Sequence, residues 1–465
     1  MKKQSQQNKT QQNNGGKAMK ELSSLERNFD EAYSGLTPYA ALEEANRCLF
    51  CYDAPCIQAC PTSINVPSFI KKIASGNLKG SAKVILDANP VGASCARVCP
   101  TEELCEGACV LNHAEKPIKI GDLQRHATDW AMVNDIELFE SAPNNGKKIA
   151  IIGSGPAGLS AARELRRFGY AVTMYEAEEK AGGLNQYGIV SFRLPQHIVQ
   201  WEVEQVKKLG VDIKTNHRVG DNISVEELIN NYDRILLAVG MNTVPMLGIE
   251  GETLNGVYDA IDFVKSTKRT ITNDLIGKSV AVIGAGNTAI DAATCSVRLG
   301  AAQVQIIYRR TINEMTAYPF EYDFAKQEGV EFRWLSLPKR IIGDEEGNVI
   351  GLECVKMELG EEVDGKAKLH EVKDSNYIMQ VDAVIRAIGQ TRHQALIEQF
   401  GLKHNSGIVE VDPITLQTSN PKIFACGDVI YGNGYGDATV VSAAQQGKDC
   451  ANIIHQQFNN ISEIA

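Results

Sequence analysis

From Lys148 onward, apolar residues gather into short, unbroken runs separated by glycine-bearing turns. Lys148–Ile152, Ala171–Glu176, Ser279–Ile283 and Val304–Tyr308 are too short for helices and read as strands buried on both faces. Between the first two stands Gly153-Ser154-Gly155-Pro156-Ala157-Gly158, which opens an amphipathic helix running to Phe168. Between the last two stands Gly284-Ala285-Gly286-Asn287-Thr288-Ala289. Strand, glycine turn, helix and strand make a βαβ unit, and two such units predict two doubly wound, Rossmann-like domains. Further short apolar strands end at Ala238-Val239-Gly240, Ala387-Ile388-Gly389 and Ile423–Asp428. Upstream the periodicity becomes helical, over Tyr39–Cys48, Val66–Ser75 and Gly121–Asn134, until the turn-rich linker Ala142-Pro143-Asn144-Asn145-Gly146.

The 465 residues leave room for about three domains. We expect a disordered tail over 1–30, a helical domain over 31–142, a first dinucleotide domain from 147–245 and 392–465, and a second from 246–391. The opening twenty residues are polar and lack the apolar core of an export signal, so the chain reads as cytoplasmic. No apolar run approaches the roughly 20 residues that span a bilayer. A net charge of −10 carries no electrostatic footprint for nucleic acid.

Each glycine motif follows a strand and opens a helix, the context in which such a motif binds a pyrophosphate. Glu176 closes the second strand of the first unit, where a carboxylate accepts ribose hydroxyls and repels a 2′-phosphate; that unit suits FAD or NAD. In the second unit the equivalent strand runs into Arg309 and Arg310, which would pair with the 2′-phosphate of NADP, a solvated loop being the alternative. Gly183 and Leu184, in Gly182-Gly183-Leu184, would let the backbone approach a flavin. Gly427-Asp428 fits a carboxylate beside the ribityl chain. Ala238-Val239-Gly240 and Ala387-Ile388-Gly389 mark crossings between the domains. In this order these pieces resemble the pyridine-nucleotide:disulfide oxidoreductase superfamily over 147–465. One feature departs from it: Cys295 and Cys354 stand singly, so no cysteine pair lies beside the flavin and electrons must leave by another route. Cys295, Cys354, Cys426 and Cys450 read as small buried apolar residues.

The other eight of the twelve cysteines form two runs. Cys48, Cys51, Cys56 and Cys60 come first, then Cys95, Cys99, Cys105 and Cys109. Pro61 follows Cys60 and Pro100 follows Cys99. Short spacings and Cys-Pro turns point to two [4Fe-4S] clusters, and contiguous cysteines need not share a cluster; zinc is the rival on count, although a single Cys-x-x-Cys knuckle is present. The stretches Arg47–Cys56, Cys60-Pro61-Thr62, Pro67–Ile70 and Cys99-Pro100-Thr101 resemble the iron–sulfur domain of the dihydropyrimidine dehydrogenases. They are also similar to the glutamate synthase small subunits and related NADPH:ferredoxin oxidoreductase subunits. That resemblance, over about 30–465, implies one cluster on Cys48, Cys51, Cys56 and Cys109. It implies a second on Cys60, Cys99, Cys105 and the side chain of Gln124, with Cys95 left as a non-ligand. Gln124 leans toward the pyrimidine branch, because the glutamate synthase type tends to carry an acid there. The resemblance further implies FAD contacts at Val98, Ser154 to Ala157, Glu176, Arg193, Asp428 and Thr439, and NADPH contacts at Ala285 to Thr288 and Arg309/Arg310. NADH serves some members.

The expected function is electron input. NAD(P)H gives hydride to FAD, and single electrons pass through the clusters to an FMN-containing partner subunit that reduces uracil or thymine. The chain shows no FMN barrel, so that step is assigned to the partner. The alternatives are the same machine serving a glutamate synthase or ferredoxin-linked partner, and a regulatory protein with a vestigial flavoprotein half, against which the intact glycine motifs argue. Hydride transfer rests on stacking and orientation, so no catalytic acid or base is assigned.

Overall fold

The computed structural model describes residues 25–363, 366–432, 434 and 437–459, and these fall into two compact units. The first holds Tyr33–Gln186, Arg193–Asn242 and the residues from Arg392; the second holds Tyr187–Phe192, Thr243–Thr391 and the described residues up to Ala32. No helix among the described residues is long and apolar enough to cross a membrane.

Most of the expected disordered tail, residues 1–24, lies outside the described residues, but its last stretch is corrected. Leu25 and Phe29 are buried, Phe29 meets Phe192 edge-on at 6.0 Å, and Arg298 donates to the Asn28 carbonyl at 2.6 Å. Two apolar residues spaced i and i+4 anchor this short stretch, a signal that the polar composition around them hides.

In the first unit, helices Pro38–Asn46, Val66–Ala74, Leu78–Ala88, Gly92–Val98 and Ile120–Val133 enclose a small core that includes Phe69, Ile70, Ile85 and Leu123. Thr37, Asn65 and Asn77 cap three of them by accepting from backbone amides at the third residue on. The same unit carries a five-stranded parallel sheet in the spatial order Ile423–Ala425, Arg234–Leu237, Lys148–Ile152, Ala171–Tyr175 and Asp212–Lys214. Helix Pro156–Arg167 packs closely on helix Val440–Phe458: a Cβ at Gly447 would come within 2.1 Å of the Ala157 carbonyl oxygen.

The sheet-bearing portion of this unit grips the helical portion by its helix ends. Arg163 donates to the Leu86 carbonyl and, at 2.7 Å, to that of Asp87; Lys448 donates to that of Ala88 at 2.5 Å. Cations on the last carbonyls of helix Leu78–Ala88 satisfy orphaned acceptors and oppose the negative end of the helix dipole. Val91 and Cys95 sit in the core of the parallel sheet, and Cys60, Cys99 and Leu104 pack against it.

The second unit has its own five-stranded parallel sheet, ordered Val257–Asp259, Ala383–Arg386, Ser279–Ile283, Gln303–Ile307 and Glu331–Arg333. It also carries an antiparallel sheet of Ser336–Gly343, Val349–Val363, Lys366–Glu371 and Tyr377–Gln380, which the sequence reading did not anticipate. Nor did it anticipate that Tyr187–Phe192 belongs here: Phe192 is fully buried, and the Arg298 guanidinium lies 4.0 Å above its ring.

Candidate functional site

Gly153 ends the first strand with φ +99°, and a Cβ there would stand 2.3 Å from the Ala238 carbonyl oxygen. Gly183, with φ +57°, brings its backbone so near the turn that its Cβ would meet the Gly155 Cα at 2.7 Å. A Cβ on Gly155 would meet nothing nearer than the Gly183 Cα at 4.0 Å, so the turn leaves a backbone cradle that a side chain would fill. Pro156 begins the helix behind it, directing free amides at the cradle. Glu176, buried at the end of the second strand, accepts from the Ser154 hydroxyl and from the amides of Ser154 at 3.2 Å and Glu178 at 2.8 Å. Ser154 in turn accepts from the Gly182 amide at 3.0 Å, which ties the glycine turn, the Glu176 carboxylate and the Gly182-Gly183-Leu184 turn together.

Gly427, φ +75°, lies against Ala157, to which its Cβ would approach within 3.0 Å, and its amide donates to Gln446 at 2.7 Å. This places Asp428 beside the same turn. Burial lifts the Asp428 carboxyl to about 6, against the opposing pull of Arg392, which donates to the Asp428 carbonyl at 2.7 Å. Thr439 caps the long final helix, accepting from the Ser442 amide at 3.2 Å. Val98 ends helix Gly92–Val98. Leu184 and Arg193 are half-buried. The residues fit a dinucleotide, since the cradle is bare backbone and a carboxylate stands at each end of it.

In the second unit Gly284, φ +128°, would drive a Cβ to 2.2 Å from the Ala387 carbonyl oxygen. A Cβ on Gly286 would lie 3.1 Å from the Thr316 hydroxyl. Ala285 is buried, and Thr288 lies in the first turn of helix Asn287–Arg298. The Oδ1 of Asn287 is buried without a hydrogen-bond partner, the kind of atom a bound ligand satisfies. Arg309 is exposed and Arg310 half-buried just past strand Gln303–Ile307, and Gly389 has φ +100° and an open flank.

Among the cysteines, Cys48, Cys51, Cys56 and Cys109 line one small cavity walled by Val66, Ile70, Ile118 and Ile120. Phe50 adopts φ +51° between the first two, and its amide serves the Cys48 thiol. Burial and the neighbouring thiols Cys109, Cys48 and Cys51 push Cys56 up to about 11, so four thiolates need a compensating cation here. A second group forms where Cys60, Cys95 and Cys105 surround Cys99, whose thiol is pushed far up by its bond with Cys95 and by burial. Among the described residues, no three His, Cys, Asp or Glu side chains are gathered tightly enough for a single metal ion. A ring of thiols about a cavity suits a wider body. Gln124 is buried, and its Nε2 donates to the Gly92 carbonyl at 2.7 Å. One residue in this region escaped the sequence reading: Glu202, fully buried on helix Gln196–Lys208. Its signal was a lone carboxylate on the apolar face shared by Ile198, Val199, Val203 and Val206.

Residues 147–447 match the family model described as pyridine nucleotide-disulphide oxidoreductase. The chain belongs to that family. Residues 25–136 match a second model, described as dihydropyrimidine dehydrogenase domain II, 4Fe-4S cluster. This pyridine nucleotide-disulphide oxidoreductase is 34% identical over 428 residues to the NAD-dependent dihydropyrimidine dehydrogenase subunit PreT of Salmonella typhimurium, covering 92% of this chain and 96% of that one. It is 33% identical over 446 residues to the Escherichia coli glutamate synthase [NADPH] small chain, covering 91% and 92%. The structure of Mycobacterium tuberculosis FprA in complex with NADPH aligns with a TM-score of 0.56 at 20% identity, over 69% of this chain and 85% of that one, which shows a shared fold. The oxidoreductase is thus an NAD(P)H-dependent flavoenzyme with an iron–sulfur domain.

Proposed function

We propose that this chain is the electron-input subunit of a dihydropyrimidine dehydrogenase, taking hydride from NAD(P)H onto FAD and passing electrons singly through two [4Fe-4S] clusters to an FMN-containing subunit that reduces uracil or thymine. The observation that carries this reading is end-to-end similarity to a protein named as such a subunit, over 92% of this chain and 96% of the relative. The Cys48, Cys51, Cys56 and Cys109 cavity supports the first cluster. Cys60, Cys99 and Cys105 stand near one another for the second; on this reading Gln124 supplies the fourth ligand. The Gln124 Nε2 donates to the Gly92 carbonyl, so its Oε1 would be the atom offered to iron. Leu49, Phe50 and Tyr52 surround the Cys48–Cys51 loop and are exposed, as suits a surface that receives a partner subunit.

Bound flavin would supply the conversion of a hydride into single electrons. The protein's part would be to hold it: Gly155 and Gly183 would admit the pyrophosphate, Glu176 would accept the ribose hydroxyls, and Asp428 would stand near the ribityl chain. Arg309 and Arg310 would read a 2′-phosphate. The same architecture would serve a glutamate synthase large subunit, so one comparison decides. The complex is isolated anaerobically from its native cells, and NADPH and NADH oxidation are followed with uracil and, in parallel, with 2-oxoglutarate plus glutamine. Uracil-dependent turnover with an FMN-bearing companion is expected. Turnover with 2-oxoglutarate and glutamine alone moves the chain to the glutamate synthase branch and removes the pyrimidine assignment.

A further inference from the structure

Helix Gly92–Val98 links the two chemistries of the first unit: Cys99 follows it directly, Val98 ends it, and Cys95 is buried in the core of the parallel sheet. Its N-terminus has no cap of its own, since the residue before it, Val91, carries no acceptor. The amides of a first turn left unpaired in a buried place are costly, and a helix lacking its cap frays. Glu202 fills that role from the flavoprotein side. Its carboxylate accepts from the Ser94 amide at 2.8 Å and the Ser94 hydroxyl at 2.5 Å, and also from the Ala93 amide. From the other side, Gln124 holds the Gly92 carbonyl at 2.7 Å, and Asp129 holds Arg97 at 2.8 Å. The helix is thereby clamped between two portions of the unit, and the flavoprotein half of the clamp is one ionisable side chain.

We propose that Glu202 is a positioning residue for electron passage between the flavin and the second iron–sulfur site, fixing the helix that leads to Cys99 and placing a buried charge at that helix's positive end. The inference rests on the iron–sulfur reading given above, and it does not depend on which partner takes the electrons. From Ser94 to Cys99 the helix axis rises about 7–8 Å. At that range, in a dry interior, a unit charge is felt. Burial holds the Glu202 carboxyl up at about 7, opposed by its three hydrogen bonds and by Arg97. On the helices packed around it, Asp129 is engaged by Arg97 and Arg125, Glu164 by Arg163 and Lys448 by the Ala88 carbonyl, and burial lowers His126; beyond them, beside Cys105, burial also raises the Glu106 carboxyl to about 7. Ionised Glu202 makes the nearby site harder to reduce, so that site's midpoint potential falls as pH rises through neutrality.

The test is a mediator titration followed by electron paramagnetic resonance at pH 6 and pH 8, on holoprotein reduced with dithionite, so that no partner subunit enters the result. Wild-type protein shows one cluster whose potential drops between the two pH values. Glu202→Gln retains iron and FAD, and the drop becomes clearly smaller, Glu106 beside Cys105 supplying what remains. An unchanged drop in that variant overturns the proposal. Should Glu202→Gln lose iron, Ser94→Ala decides, because it keeps the carboxylate and removes one hydrogen bond to it. The transition then moves to higher pH, and an unmoved transition overturns the proposal. A wild-type protein with no cluster signal would instead sink the iron–sulfur reading on which this rests.

Discussion

Asp428 costs the flavin-free protein stability. Its carboxyl is raised by burial from an ordinary 3.8 to about 6, so folding disfavours its ionised form. Below about pH 4 it is neutral in both folded and unfolded chains and the cost is absent. Between pH 4 and 6 the unfolded chain ionises first, and the cost grows until it is complete above 6. Asp428→Asn keeps the carbonyl that Arg392 binds and removes the charge. Urea unfolding of flavin-free protein at pH 7 should show the variant more stable by roughly 1–3 kcal/mol, with the difference fading by pH 4. FAD affinity should fall in the same variant; equal stabilities at pH 7 would remove the argument. Arg309 and Arg310 allow a sharper test of nucleotide choice, because neither is locked deep in the core. Replacing both by Ala should raise KM for NADPH about tenfold or more while leaving NADH within a small factor, as expected for charge-assisted bonds to a phosphate that only NADPH carries. Equal effects on both nucleotides would mean that these guanidiniums do not read it.

Helix Val440–Phe458 holds a glycine in its interior where alanine is the better helix former, and the reason is contact. A Cβ at 447 would stand 2.1 Å from the Ala157 carbonyl oxygen on the glycine-turn helix. Gly447→Ala should therefore destabilise by about 1–3 kcal/mol through overpacking, despite its gain in propensity, and should lower FAD content by pushing Gly427 and Thr439 away from the turn. A rise in melting temperature with full flavin content would contradict this. Elements of this kind were legible where every local cue agreed. Lys148–Ile152 and Ser279–Ile283 appear with the bounds read from their apolar runs, since fully buried strands leave no ambiguity of face. The helices expected over Val66–Ser75 and Gly121–Asn134 appear within a residue of those limits. The antiparallel sheet was illegible, because Val349–Val363 and Lys366–Glu371 mix Lys, Glu and Gly with apolar residues, and their pairing is set by long-range register. Tyr187–Phe192 escaped for a similar reason: its partners, Phe29 and Arg298, lie far off in sequence. Glu202 escaped because a carboxylate on an apolar helix face has no meaning until the uncapped helix that it serves is seen.

Across the molecule, the cysteine-bearing helices share a compact unit with the first five-stranded parallel sheet, while the second glycine turn lies in the other unit. The sharing is physical: Cys60 and Cys99 pack against the sheet's core, and Arg163, Lys448 and Glu202 close the ends of two helices of the cysteine region. Losing iron should therefore loosen this unit as a whole, because thiols freed from a cluster are left as a buried, mutually crowded group. Calorimetry can separate the two units by their ligands. A ligand present at a hundred times its dissociation constant stabilises the unit that binds it by about 2.7 kcal/mol. Added FAD should raise one transition, and anaerobic removal of iron should lower that same transition. NADP+ should raise a different one, belonging to Thr243–Thr391. If iron removal instead left the FAD-sensitive transition in place, the contacts of Cys60, Cys99 and Glu202 would be incidental, and the cysteine region would have to be treated as an independent domain tethered to the flavoprotein. If it moves with FAD, the path from flavin to cluster runs through one cooperatively folded body. Electron transfer would then be tuned by core packing rather than by the docking of separate domains.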